Sequence, residues 1–281
     1  MDKYIIVFCE GDHDIAFLTR ILSVNGFLPY MKKVKEFVKP LNNLYIKNLS
    51  NKKIEDFEFK FQRPKRKVPY SVLIKDDTLV IFHNFDGDGN ILNDGANSIV
   101  SMYISLNKEN RRKIEKYEKL NYRFLYFLDA DKEGVENRLN NLKESLDLDE
   151  LNHYEITNKN DDEFGCYIFY DDLDPNTYGK LEDVLLNIMK PNNKDIFEKS
   201  ESFISNNTLA TDRQRKFICK NLEEKYQGNP QFKEQKSVIS IAGQLQFSGS
   251  SNAVIIANSD YIKKDDILNN SHCQNIIKLF E

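Results

Sequence analysis

The chain has 281 residues, 40% hydrophobic and 30% charged, with 19 Phe and 14 Tyr, so it has the material for a substantial core and is not globally disordered. Four cysteines without paired spacing exclude a disulfide framework and a zinc module, and no stretch approaches the ~20 apolar residues of a membrane span; a soluble, cytoplasmic protein with no membrane partner is expected. A net charge of -4 neither advertises nor forbids nucleic-acid binding, because an acidic average can hide a basic channel.

Residues 4–9 form a continuous apolar run ended by Glu10-Gly11, the pattern of a strand buried on both faces. Asp12 is placed to cap a helix carrying Ile15, Leu18, Ile21 and Leu22 at helical spacing. From 31 to 77 the pattern dissolves into a Lys- and Asn-rich stretch, read as a basic insertion with a short strand near 70–75. Its cluster at 63–67, interleaved with Phe57, Phe59, Phe61 and Tyr70, is a candidate for contact with a nucleic-acid substrate; the cluster at 213–216 is read as solvated surface. Residues 78–83 predict a strand followed by the polar turn 86–90, and a helix over about 96–119.

Residues 123–128 predict a second buried strand, ending in Asp129-Ala130-Asp131, with a helix over 134–146. A third strand over 166–170 ends in Asp171-Asp172 and leads to a helix over 181–189. The polar stretch 194–226 predicts a small helical bundle, 237–242 a final core strand, and a C-terminal helix ends at Phe280. Strands alternating with helices predict an α/β fold with a mainly parallel sheet flanked by helices. The expected organisation is a core over 1–193, a helical appendage over 194–232, and a last core strand with C-terminal helices over 233–281.

Sites in such sheets lie beyond the carboxyl ends of the strands. Here three strands end in acids: Glu10, Asp129 with Asp131, and Asp171-Asp172. Magnesium takes oxygen ligands, usually one or two carboxylates with waters and substrate phosphate. Asp129 and Asp131 would share a face in a continuing strand and at its end can turn toward one cation. Glu10 can add an oxygen or act as general acid/base. A single acid after a strand is more often a turn former or cap, and Asp12, Asp171 and Asp172 are read that way, as is His13. The 86–90 turn fails as a calcium loop, since Ile91 and Asn97 stand where Gly and Glu are needed.

Glu10-Gly11-Asp12-His13-Asp14 after Ile5-Ile6-Val7 resembles the Toprim signature, and Phe127-Leu128-Asp129-Ala130-Asp131 resembles the Toprim Asp-x-Asp motif. Gly165-Cys166-Tyr167-Ile168-Phe169, followed by Gly179-Lys180-Leu181-Glu182-Asp183, is similar to stand-alone Toprim proteins related to the overcoming-lysogenization-defect (OLD) nucleases. The resemblance implies a Toprim, Rossmann-like core and a metal-dependent endonuclease acting on DNA or RNA with one or two Mg²⁺ or Mn²⁺ ions. It implies Glu10 as acid/base and ligand, Asp14, Asp129, Asp131 and Glu182 as metal ligands, Asp183 as a weaker neighbour, and Lys236, ahead of the last strand, as a catalytic cation. It further implies a role in anti-phage defence with an ABC-type ATPase partner, and is compatible with a homodimer. The rival expectation is a catalytically silent Toprim module that binds nucleic acid or a partner protein.

Overall fold

A computed structural model describes residues 3–48, 67–85, 95–110, 120–174, 176–207, 209–219, 222–226 and 233–281. Phe57, Phe59, Phe61, Arg63 and the 86–90 turn lie outside the described residues. The chain divides into two compact units, residues 1–184 with 264–281, and residues 185–263.

In the first unit the apolar runs do become strands, because each carries side chains that can be buried on both faces. The parallel centre consists of β1 (Lys3–Cys9), β4 (Thr78–Asn84), β5 (Tyr122–Asp129) and β7 (Asp162–Phe169). Antiparallel strands β2 (Leu28–Pro29), β3 (Ser71–Lys75) and β6 (Ile156–Lys159) complete a mixed sheet of order β2-β3-β4-β1-β5-β7-β6. The fold is therefore α/β with a mostly parallel seven-stranded sheet flanked by helices, consistent with a Rossmann-like core. From β1 the chain goes outward to β4 and then returns past β1 to β5, so the strand order reverses at β1. That reversal opens a crevice beyond the carboxyl ends of β1 and β5.

One face of the sheet packs Ile6 and Phe8 of β1 and Phe124 and Tyr126 of β5 into a core shared with α2 (Leu41–Asn48) and α3 (Ala96–Asn110). Phe37, Leu41 and Tyr45 belong to this core and β3 to the sheet, so the described parts of 31–77 are built into the unit rather than appended to it. Within this core Tyr45 Oη lies 2.9 Å from Tyr103 Oη, which lies 2.9 Å from His83 Nε2. Three polar side chains thus satisfy one another where water is excluded. Against Phe127 and Phe169 of the sheet pack Phe17 of α1 (Asp12–Val24) and Phe280, which follows α11 (Ser271–Lys278). The returning segment is also held by polar bonds: Arg123 Nη1 donates to Leu279 O at 2.6 Å, Lys3 Nζ to Glu281 O at 2.9 Å, and His272 bridges Tyr167 Oη and Asp172.

His153 is a half-buried imidazole whose Nε2 accepts the Ile168 N–H at 3.0 Å, so a proton there would remove the acceptor. Burial first, and then neighbouring His272, push its pKa down to about 4. The unfolded chain therefore binds a proton between about pH 6.5 and 4 that the folded chain refuses. The stability that neutral His153 contributes is present above about pH 6.5 and is lost as pH falls toward 4. Melting temperature should drop across that window in the wild type and drop less in His153→Gln; a parallel pH profile for the variant would remove His153 as the cause.

The second unit contains α6 (Lys194–Asn206), the short α7 (Thr211–Arg215), α8 (Glu234–Gly243) and α9 (Asn252–Asn258). The predicted helical bundle over 194–226 is only partly helical: β8 (Lys216–Ile218) and β9 (Glu224–Tyr226) pair as an antiparallel ribbon. The predicted final core strand over 237–242 is wrong. It lies in helix α8, because Val238, Ile239 and Ala242 form one buried helical stripe in an element that packs against α6 and α9. The predicted helical segments are occupied by α4 (Gly134–Ser145), in the first unit, and by α5 (Leu181–Met189), which begins in the first unit and ends in the second.

Candidate functional site

Beyond β1 the chain turns at Gly11 into α1, and the Asp14 Oδ2 accepts the Gly11 N–H at 2.7 Å. Asp14, rather than Asp12, thus closes the first turn, while Asp12 accepts a hydrogen bond from Asn84 at the end of β4. Beyond β5 the Glu10 Oε1 accepts the Asp129 N–H at 2.8 Å, so one strand end orients the acid of the other. The Asp129 Oδ1 accepts the Leu181 N–H at 2.8 Å and so caps α5, whose helix dipole favours an anion there.

The start of α5 is pinned by a backbone stitch. Asp131 N–H donates to Gly179 O at 2.6 Å, Gly179 N–H returns to Asp131 O at 3.0 Å, and Asp171 N–H donates to Tyr178 O at 2.8 Å. Gly179 has φ +124, and a Cβ there would stand 2.5 Å from the Asp171 nitrogen, so only glycine fits. Asp183 Oδ2 then accepts the Lys180 N–H at 3.0 Å. The result fixes Glu182, 2% exposed, with Oε1 3.1 Å from His13 Nδ1 on α1.

Burial pushes the Asp129 carboxyl well above the usual carboxylate range, and the charges of Glu10, Asp14 and Glu182 add to the shift, against the opposing Leu181 bond. Four acids from three distant segments therefore repel one another around Asp129. All offer hard oxygen donors, which suit Mg²⁺ or Mn²⁺, and such ions need only one or two carboxylates when waters complete the shell. Among the described residues, no group of three or more His, Cys, Asp or Glu side chains is already arranged to hold a metal ion. The donor chemistry thus fits a cation that keeps much of its water, bound through a subset of these acids.

The structure brings together Glu10, Asp14, Asp129 and Glu182 of the expected ligands. Asp131 stands apart. It has φ +49, is half exposed, and its Oδ2 lies 2.9 Å from Arg138 Nη2 on α4. The expectation that it shares a cation with Asp129 on a common strand face does not hold in this conformation, because β5 stops at Asp129 and the backbone turns left-handed. Lys236, expected ahead of a core strand, lies within helix α8 of the second unit. Asp171 and Asp172 behave as turn and anchor: Asp171 Oδ1 accepts the Leu173 N–H, and Asp172 Oδ2 lies 2.8 Å from His272 Nε2.

His13, read from sequence as turn surface, proves to face Glu182, and Arg138 gave no sequence signal beyond one charge in a charged helix. Burial pushes the thiols of Cys166 and Cys273 up to about 12 and that of Cys9 well up, which leaves none of these three as a nucleophile.

Fold and acids together define an α/β protein with a carboxylate cluster beyond the carboxyl ends of adjacent parallel strands. No family model matches the chain, and no curated protein matches it. Among solved structures the chain is similar to a hypothetical protein from Pyrococcus horikoshii OT3, at 15% identity and a TM-score of 0.48, covering 100% of this chain and 94% of that one. A likeness this remote assigns neither protein an activity.

Proposed function

We propose that this chain is a Toprim-type nuclease that hydrolyses phosphodiester bonds in DNA or RNA with Mg²⁺ or Mn²⁺. The observation that carries this reading is the convergence of Glu10, Asp14 and Glu182 on Asp129, from three separate segments, at the place where a reversing parallel sheet puts its ligands. Three acids crowded round a half-buried carboxyl are a liability without a cation. When bound, a divalent cation supplies the positive charge that screens the phosphate and favours ionisation of the attacking water. One or two of Asp14, Asp129 and Glu182 would hold it, with waters completing its shell. Glu10, whose Oε1 accepts the Asp129 N–H, would take a proton from that water. His13 steadies Glu182.

A second reading, a Toprim module that binds nucleic acid or a protein without cutting, is favoured by one observation. Asp14 and Asp129 each serve a helix terminus, which is reason enough to keep them. The experiment that separates the two is cleavage of plasmid DNA and of total RNA with Mg²⁺, Mn²⁺ or EDTA, comparing wild type with Glu10→Gln. Cutting that requires the cation and Glu10 supports the nuclease, and the substrate consumed names its class. No cutting, together with retained nucleic-acid binding, supports the silent module. The same resemblance supports an anti-phage role with an ABC-type ATPase partner, for which the assay is repeated with such an ATPase present.

A further inference from the structure

Asp131 is held in place twice. Its backbone is bonded in both directions to Gly179 at φ +49, and its carboxylate meets Arg138 at 2.9 Å. The Arg138 side chain is only 5% exposed, and its Nε lies 3.6 Å from Glu133 Oε2. A buried guanidinium thus lies beneath two half-exposed carboxylates, Asp131 and Glu133, at the first turns of α4. The acids whose charge bears on Asp129 are Glu10, Asp14 and Glu182, and Asp131 is not among them.

We propose that Arg138 is a positioning residue that acts as the internal counter-ion of Asp131, keeping this acid out of the carboxylate cluster until a divalent cation draws it in. The inference rests on the cation-dependent reading of the cluster. Removing every partner from a buried charge is strongly unfavourable, so an arginine with one acid could not release it. Glu133 solves this, because Arg138 keeps one carboxylate when Asp131 leaves. Asp131 is half exposed, and an ion pair at such exposure is weak enough for a cation to compete with. A purely structural pair that ties α4 to the end of β5 would show the same distances, but its loss would not tighten cation binding through Asp131.

The test is Mn²⁺ binding to the whole chain without nucleic acid, read from the electron paramagnetic resonance signal of free Mn²⁺. Arg138→Gln should bind Mn²⁺ about 5-fold more tightly than wild type, the scale of one partly exposed charged pair removed from competition. Arg138→Lys, which keeps the buried charge but loses the planar fork, should tighten binding by a smaller factor. In an Asp131→Asn background, Arg138→Gln should change nothing. The proposal is overturned if Arg138→Gln, melting as wild type does, binds Mn²⁺ no more tightly. It is equally overturned if the same gain persists with Asp131→Asn, since that is general electrostatics. Should Arg138→Gln not fold, unchanged or weaker binding by Arg138→Lys overturns it. Absence of Mn²⁺ binding by every form, wild type included, sinks the cation reading of the whole cluster and this inference with it.

Discussion

Asp129→Asn should abolish cation-dependent cutting and, in the absence of cations, raise the melting temperature. Both expectations come from the same cause. Burial and the charges of Glu10, Asp14 and Glu182 hold the Asp129 carboxyl above the ordinary carboxylate range. A carboxyl with a raised folded pKa takes up a proton on folding once pH exceeds the unfolded value. Stability then falls as pH rises through the window up to the folded value, and the deficit persists at neutral pH. Asparagine removes the repelled charge, while its carbonyl oxygen can still accept the Leu181 N–H. A rise in melting temperature at neutral pH is the expected direction. The loss of cutting should exceed about 10²-fold, since a charge-stabilising group is removed. Calorimetry in EDTA beside the cleavage assay reads both. A variant that melts lower than wild type would show that the helix cap outweighs the repulsion, and would favour a structural Asp129.

Gly179→Ala should be the most destabilising small substitution in the first unit. A Cβ at φ +124 would press within 2.5 Å of the Asp171 backbone nitrogen, which cannot give way as a side-chain tip would, and within 3.1 Å of Asp183 Oδ2, itself tied to the Lys180 N–H. Relief requires moving the stitch that joins β5, β7 and the start of α5. The expected cost is about 3–5 kcal/mol, since left-handed strain and a backbone clash add. Gly249→Ala is the control: its φ is +77 and nothing lies within 4 Å, so only about 1 kcal/mol is at stake. Because α5 carries Glu182 and its first N–H meets Asp129, the Gly179 variant should also lose any Mn²⁺-dependent rise in melting temperature. Similar losses for both variants would place the cause in backbone conformation alone.

The parallel centre of the sheet was legible because 4–9 and 123–128 are long apolar runs with no helical period, each ending at an acid and a turn. The same signal misled at 237–242. A run of six residues reads equally as a buried strand or as one stripe of a helix, and only neighbours decide. The ribbon β8–β9 left no trace, because its residues are exposed on both faces and no face demanded alternation. At the site, Glu10 and Asp129 were readable from strand ends. The partnership of His13 with Glu182 spans 169 residues and cannot be read locally. Asp131 misled because two-residue spacing implies a shared face only while the strand continues, and here it stops at Asp129, two residues short.

The segment 264–281 bears on the order in which the protein is made. Residues of the second unit leave the ribosome before this segment, yet Phe280 packs on Phe127 of β5, and Leu279 O accepts from Arg123 of the same strand. Until it emerges, one face of the central strands lacks the part of its cover that Phe280 supplies beside Phe17 of α1, and Arg123 lacks the Leu279 carbonyl. The second unit has all its residues available first, so it is free to fold while the first waits. An acid cluster seated on those strands therefore gains its final rigidity only after residues 264–281 have been translated, and a nascent chain stalled before that point would carry the clustered acids without a finished floor beneath them.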